Sequence, residues 1–556
     1  MTSTSDLVAG IRSALRSAGD TAHAVRVLSA RGLFDPMRLD RAIAATRAVA
    51  TLGPVAGAIS HGAALHPLAT AIVDDRGGLT YRELDEQTNA LARALAARRT
   101  GPGSVVGLLA RDHRGLVLAI AAVAKVGARL VLLNTGFARP QLADVAERED
   151  IRVMLHDDEF DDLLSGLPDE VDRILTRHDD VTSGPSDRPT IDRLIAEESE
   201  ERMPRPARAG GLVLLTSGTT GTPKGAPRDR VSLLQSAAFL DRIPLSRGQT
   251  MVMVAPIFHG TGLSQFILGL ALGGTVVLHR RFDAEATLAS VATTRAHTLV
   301  LVPTMLQRIL DLGPEVLARY DTTSLRVVFS AGSALPTDLC VRAAAHFGPV
   351  LHNLYGSTEV AIALVATPAD LAAAPGTVGR PPVGCRVALL DAQGAVVDRP
   401  GVVGRIFARS TLSFGGYTDG RHKEIVDGML SSGDIGHVDA NGLWFVDGRD
   451  DDMIVSGGEN VYPLEVEDLL TRHRDVTEAA VVGVDDAEFG QRLRAYVVAA
   501  DTLDATDVKS YVRDNLARFK VPRDVVFVDA LPRNATGKVL RRELHALDDV
   551  RVIEAD

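Results

Sequence analysis

Ten residues, Thr216 to Gly225, read TSGTTGTPKG and follow the apolar run GLVLL. Three glycines, four threonines, one serine, one proline and one lysine suit neither a helix nor a strand interior. Gly and Pro break both, and hydroxyls compete with the backbone for hydrogen bonds. The stretch reads as a loop on the end of a buried strand, and its chemistry is phosphate binding. Glycines bare backbone N–H groups, hydroxyls add donors, and an ammonium adds a point charge. It is not a Walker A loop: Lys224 follows Pro223 rather than Gly, and Gly225 stands where the magnesium-binding hydroxyl belongs. Lysine is scarce, with six among 60 basic residues, at 125, 224, 423, 509, 520 and 538. A lysine in a candidate site, as at 224 and 538, therefore suggests that a compact ammonium is wanted rather than a planar guanidinium. Lys125 and Lys509 read as ordinary surface lysines.

Such a loop needs a rigid frame. From about Thr80 the chain alternates helix-like runs (YRELDEQTNALARALAA, RGLVLAIAAVAKVGA, PQLADVAERED) with short apolar strands (SVVGLLA, RLVLLNTG, IRVMLHD). The alternation resumes after the loop in TMVMVAPIFH, GTVVLHRRF, AHTLVLVP and LRVVFSAGSALP. Short apolar strands alternating with helices predict parallel sheets covered on both faces. After about residue 380 alternating strands with Gly, Pro and Asp turns predict a small β unit. GRDDD, ending at Asp452, reads as a linker. The following hundred residues or so read helix, strand, strand, helix, strand.

A chain of 556 residues exceeds one ordinary domain. A net charge of −11 gives no footprint for nucleic acid. Two cysteines, Cys340 and Cys385, are too few for a disulfide framework or a thiolate metal site and fit a reducing cytoplasm. The first twenty residues lack the continuous apolar run of a secretory signal. Arg47 to Asp74 contains a long uncharged stretch but is interrupted by Pro54, Pro67, His61 and His66. It reads as a small-residue surface segment, with weak peripheral membrane contact as the minority reading.

Four further motifs follow the loop in order: NLYGSTE (353–359), SSGDIGHVDANGLWFVDGRDDD (431–452), SGGENVYP (456–463) and PRNATGK (532–538). Together the five resemble the acyl-adenylate-forming enzymes (AMP-dependent synthetases and ligases), over nearly all of the chain after about residue 60. The wording SGGENVYP is closest to fatty acyl-CoA synthetases. The resemblance implies an α/β fold with a large N-terminal domain of parallel-type sheets plus a small β unit, and a small mobile α+β C-terminal domain. Its limits would be an N-terminal extension 1–60, a large adenylation domain 61–449, a hinge 450–452 and a small domain 453–556.

By the same resemblance, Thr216, Ser217, Gly218, Thr219, Thr220, Gly221 and Lys224 close over the ATP phosphates. Tyr355 offers a flat face to adenine, within an ATP-binding set that also includes Asn353, Gly356, Ser357, Ser333 and Ala334. Thr358 bonds the α-phosphate and Glu359 is the Mg²⁺ ligand. Asp434 takes the ribose hydroxyls with Arg449, and Ser432 keeps a hydroxyl that is Thr in many relatives. Lys538 bridges the substrate carboxylate and the α-phosphate during adenylation. Gly457, Gly458 and Glu459 line the CoA tunnel after a rotation about Asp451. Phe258, His259, Gly332 and Gly356 border the acid, whose pocket lacks the aspartate that amino-acid-activating relatives carry. The implied enzyme is an AMP-forming acid–thiol ligase of fatty acid and lipid metabolism. It takes ATP, CoA and Mg²⁺ and activates a medium- or long-chain fatty acid to acyl-AMP. An aryl-acid CoA ligase and an acyl-AMP ligase loading a carrier protein in trans stay open. The oligomeric state, a homodimer among the options, is open as well.

Overall fold

The computed structural model describes residues 18–178, 187–216, 223–228, 233–450, 452–456, 459–486, 490–500, 502–534, 537–544 and 547. Two large sheets dominate. The eight-stranded sheet runs, edge to edge, through Leu364–Ala366, Leu351–Tyr355, Val327–Ala331, Thr298–Leu301, Thr250–Met253, Thr275–Leu278, Thr70–Asp74 and Gly77–Thr80, parallel except at its two margins. The six-stranded sheet runs through Asp172–Arg177, Val153–Asp157, Val105–Leu109, Arg129–Leu132, Leu212–Thr216 and Lys224–Pro227, with only the last pair antiparallel.

The strands are near-continuous apolar runs because both faces of each sheet are covered. Between the sheets lie the helices Tyr81–Ala97, Arg114–Lys125 and Gly260–Ala271, whose side chains join Leu108, Leu130 and Leu214 on one side to Met253, Val300 and Phe329 on the other. Tyr81 is fully buried there, and its hydroxyl donates to the carbonyls of Leu270 and Gly274 at 3.0 and 2.8 Å.

Two expectations are corrected here. The segment Arg47 to Asp74 is not a surface stretch: it holds the second half of the helix Leu39–Leu65, and Leu52, Val55, Ala56 and Ile59 pack into the central core. The expected boundary at residue 60 falls inside this helix. Among the described residues it is the one helix long and apolar enough to cross a membrane, but it is not a straight rod. Gly53 leaves the helical region at φ 73°, ψ 176°, and Pro54 follows. A Cβ built on Gly57 would lie 2.8 Å from the Val49 amide nitrogen, whereas eight residues of straight helix span about 12 Å. The two halves are folded back on each other.

Lys125 is likewise not at the surface. It is 5% exposed, and its ammonium donates to Asp85 Oδ1 (2.8 Å), Thr88 Oγ1 (2.6 Å) and Asn89 Oδ1 (2.7 Å). The helix carrying it is sandwiched between two sheets, so its polar position meets a neighbouring helix instead of water.

The small β unit is present as Arg386–Leu390, Gly404–Arg409, Ile425–Val426, Met429–Val438 and Trp444–Arg449. The last region contains the expected series, helix Pro463–Leu470, strands Val476–Asp486 and Gly490–Ala499, helix Ala505–Asn515 and strand Asp524–Phe527, but two short strands the sequence reading missed, Ile454–Ser456 and Glu459–Val461, come before it and join the same sheet. These enclose a core of their own built on Val466, Leu470, Val481, Val497 and Val512.

Candidate active site

The motifs converge because parallel strands share one carboxyl edge. Strands Leu351–Tyr355, Val327–Ala331, Thr298–Leu301 and Thr250–Met253 are neighbours. Their ends therefore bring together Gly356 to Glu359, Gly332 to Ala334, Val302 to Thr304 and Val254 to His259. Ligands of open α/β sheets bind at this edge. The six-stranded sheet contributes the hairpin Leu212–Thr216 and Lys224–Pro227, in which Thr216 pairs with Lys224. Lys224 and Gly225 are thus strand residues, not loop residues. Ser217, Gly218, Thr219, Thr220 and Gly221 lie outside the described residues, as do Gly457, Gly458 and Asp451; Glu459 begins a short strand, Glu459–Val461.

Glu359 is 8% exposed, and the Tyr417 hydroxyl donates to its Oε1 at 2.6 Å. Burial pushes its pKa up, but bonds from Tyr417 and Ser357 and the charge of Lys423 win, holding the carboxyl below its usual range. It is ionised at neutral pH. No group of three or more His, Cys, Asp or Glu side chains forms a metal cage among the described residues. One ionised carboxylate nonetheless fits Mg²⁺, which keeps waters and substrate phosphates as its other ligands. The same tyrosine ring lies 5.2 Å from the Lys224 ammonium. Tyr417 thus organises two of the expected catalytic groups. A single Tyr in GGYTDG gave no signal of this.

On the nucleotide side, the Tyr355 hydroxyl donates to Asp434 Oδ2 at 2.5 Å, and Arg449 lies 3.5 Å from Asp434 Oδ1 across a strand pair. Burial raises the Asp434 pKa, opposed by Tyr355, Arg449 and Lys538. Ser432 holds this carboxylate's backbone, accepting from the Asp434 amide at 3.0 Å and donating to the Ile406 carbonyl at 2.9 Å. Asn353 and Ser330 face each other across adjacent strands, and Asn353 Oδ1 and Ser330 Oγ are both buried without a partner. Such orphans cost about 1–3 kcal/mol each. Ser357 turns inward: its Oγ accepts from the amides of Glu359 and Val360 at 3.2 and 3.3 Å. Gly356 is glycine for a backbone reason, since a Cβ there would lie 2.3 Å from the Ala361 carbonyl oxygen. Ser333 is half-buried and Ala334 exposed just past the end of Val327–Ala331.

Lys538 arrives from the C-terminal region on a tight turn. Its amide donates to Asn534 Oδ1 at 2.9 Å, and Gly537 takes φ 75°. A Cβ on Gly537 would lie 2.3 Å from Thr304 Oγ1, so the turn rests directly on the carboxyl edge of the large sheet. The Lys538 side chain stays open to the cleft, yet protein surrounds it there. Desolvation lowers its pKa, opposed by the charges of Asp434 and Glu359. Residues more than 175 positions apart in the sequence thus share one electrostatic site.

The two side chains expected to border the acid from this turn carry no charge. Phe258 is 5% exposed and its ring centroid is 4.4 Å from that of His259. The His259 Nε2 is buried without a partner, and burial, then Lys538, pulls the imidazole pKa down to about 3. Gly332, at φ 98°, lies opposite Val302 and Thr261. Two residues here escaped the sequence reading. Asp112, pushed up to about 7 by burial, accepts the Ile257 amide on both oxygens at 3.2 Å and so fixes the Phe258 turn. Arg228, pulled down to about 10 by burial, donates to the carbonyls of Thr358 and Leu412.

Fold and site together define an enzyme that holds a nucleotide at a sheet edge and sets a lysine from a small C-terminal domain beside it. The chain belongs to the AMP-binding enzyme family, which it matches over residues 59–418, with the AMP-binding enzyme C-terminal domain matched over residues 465–538. It is 34% identical over 520 residues to an indoleacetate–CoA ligase of Aromatoleum aromaticum, covering 89% of this chain and 97% of that one. It is 33% identical over 490 residues to a feruloyl-CoA synthase of an Amycolatopsis species, covering 87% and 96%. Its fold is similar to that of the o-succinylbenzoate CoA synthetase of Bacillus subtilis in complex with its acyl-adenylate intermediate: TM-score 0.77, 27% identity, 90% of this chain and 99% of that one covered. The chain is an AMP-forming acid–CoA ligase that works through an acyl-adenylate, with ATP and CoA as co-substrates.

Proposed function

We propose that this ligase activates an aromatic, ring-bearing carboxylic acid and transfers it to CoA. The observation that carries the reading is the uncharged pair on the acid side of the cleft, where buried Phe258 packs on a His259 held neutral. A buried neutral pocket disfavours an ammonium-bearing amino acid and suits a flat apolar group. Relatives acting on indoleacetate, ferulate and succinylbenzoate support the aryl acid over the fatty acid expected from SGGENVYP.

In the first step a carboxylate oxygen attacks the α-phosphorus and the bond to the β-phosphate bridge breaks, releasing pyrophosphate. Anion meets anion, so charge neutralisation outweighs acid–base chemistry. Lys538 and Lys224 supply ammonium groups, and Tyr417 holds Glu359 ionised to bind Mg²⁺. When bound, that ion adds positive charge against the phosphates. In the second step the CoA sulfur attacks the acyl carbonyl and AMP leaves. No side-chain nucleophile is needed. Burial pushes the thiols of Cys340 and Cys385 up to about 11 and about 12, which keeps both protonated.

The test is AMP formation with CoA across aromatic acids, fatty acids from six to eighteen carbons and amino acids. Aryl acids are expected to give the highest kcat/KM. Preference for a fatty acid overturns the aromatic reading. Acyl-AMP that forms and is not passed to CoA favours a carrier-protein thiol instead.

A further inference from the structure

The folded-back helix Leu39–Leu65 does more than close the fold. Its turn at Gly53 and Pro54 walls a cavity of about 330 Å³. Val49 and Leu52 line it from that turn, Ile120 from the helix Arg114–Lys125, and Leu130 and Leu212 from adjacent strands of the six-stranded sheet. Among the described residues the polar side chains at its border are Arg228 and Gln235. Both donate to backbone carbonyls, Arg228 to Thr358 and Leu412 and Gln235 to Thr411. The described lining is therefore mainly apolar. A cavity of roughly 150 Å³ holds benzene, so this one has room for a two-ring group.

Two sets of packing contacts place it next to the reacting centre. Leu212 and Leu214 lie on one face of their strand, roughly 6.6 Å apart, and both belong to the central core. The Leu214 Cδ1 is 3.8 Å from where a Cβ on Gly260 would stand, and Gly260 follows His259. On the other flank Arg228, which borders the cavity, reaches the Thr358 carbonyl next to Glu359. The cavity thus begins about one side-chain layer beyond the acid side of the cleft.

We propose that this cavity receives the distal, ring-bearing end of the acid, so that the N-terminal helical pair sets how large an acyl group the enzyme accepts. The helical segment 18–30 that precedes this wall, with Arg31 after it, is tied to the element beside the cavity. His23 Nε2 lies 2.7 Å from Asp241 Oδ1, and Arg31 Nε donates to the Leu240 carbonyl at 3.3 Å. Both partners sit on the helix Ser236–Arg242, directly after Gln235. The inference rests on the aromatic-acid reading for the kind of ligand, but its test stands apart from that reading.

Val49→Trp fills the cavity from the helical turn and Ala124→Leu from the helix Arg114–Lys125. The quantity to measure is the ratio of kcat/KM for a two-ring arylpropanoate to that for phenylacetate, from AMP formation with ATP and CoA. A fall of at least tenfold in either folded variant is expected. An unchanged ratio in both overturns the proposal. If neither folds, Leu52→Ala, which enlarges the cavity, is expected to raise the ratio, and no rise overturns the proposal equally. Wild-type enzyme that accepts no aromatic acid defeats the aromatic reading alone. The same variants are then run on the fatty acids it does accept, where filling is expected to shorten the preferred chain, and an unchanged chain-length profile overturns the cavity assignment.

Discussion

The Tyr417 hydroxyl donates to Oε1 of Glu359 at 2.6 Å while its ring lies 5.2 Å from the Lys224 ammonium. One side chain thus holds the carboxylate ionised and keeps a cation beside it. Hydrogen bonds to charged groups are worth about 1.5–3 kcal/mol. Tyr417→Phe is therefore expected to lower adenylation by about tenfold or more. It also removes a contact that lowers the Glu359 pKa, so the carboxylate protonates at higher pH. The acid limb of the adenylation profile should move upward. Pyrophosphate release across pH checks both, and an unmoved limb removes Tyr417 from this role.

Glu359→Gln keeps the size and deletes the charge. Adenylation should fall at least about tenfold, on the order of 1.4 kcal/mol of transition-state stabilisation. Titrating Mg²⁺ separates the causes: a loss that saturating magnesium fully restores marks weakened metal binding. An unchanged rate at every magnesium concentration takes Glu359 out of the site.

The alternating apolar strands and helices, and the placing of Tyr355, Glu359, Asp434 and Lys538 in one cleft, were legible in the sequence because each rests on local pattern or on a motif. Tyr417 was not. It reaches Glu359 across 58 residues of chain, and no spacing rule announces a tertiary hydrogen bond. Lys125 misled for a related reason. A polar residue at the end of an amphipathic helix marks the solvent face only when the helix has one, and this helix lies between two sheets. The fold at Gly53 was hidden as well, since Gly-Pro within small residues reads equally as loop or kink. Only the packing of Gly57 on Val49 decides it.

His259 is held neutral down to about pH 3 by burial and by Lys538. Its ordinary value of 6.5 would place a charge change in the middle of the working range. The kcat/KM for the acid should therefore show no imidazole inflection between about pH 5.5 and 7.5. An inflection near 6.5 that His259→Asn abolishes would contradict the buried, neutral placement.

Lys125 is paired with buried Asp85 at 2.8 Å. Removing one partner of a buried pair leaves the other charge uncompensated, at a cost of about 3–5 kcal/mol. Lys125→Met should lower the urea midpoint accordingly, and adding Asp85→Leu should recover part of the loss. A midpoint unchanged by Lys125→Met would show that the pair contributes nothing to stability.

Lys538 stands in the cleft with Asp434 and Glu359, and desolvation lowers its pKa below the ordinary 10.5. Its positive charge is present below that lowered pKa and lost as pH rises through it. The alkaline limb of adenylation should thus fall earlier than an exposed lysine would allow, and Lys538→Arg, which never deprotonates, should flatten it. Lys538→Ala removes a charge made useful in the first transition state, an interaction worth roughly 3–4 kcal/mol, or 10²–10³ in rate. The thiol step needs no ammonium at the α-phosphate once pyrophosphate has left. Supplied acyl-AMP and CoA should therefore give acyl-CoA at close to the wild-type rate in the same variant. Measuring the two half-reactions separately decides the matter: equal damage to both means that Lys538 does not act on the adenylation step alone.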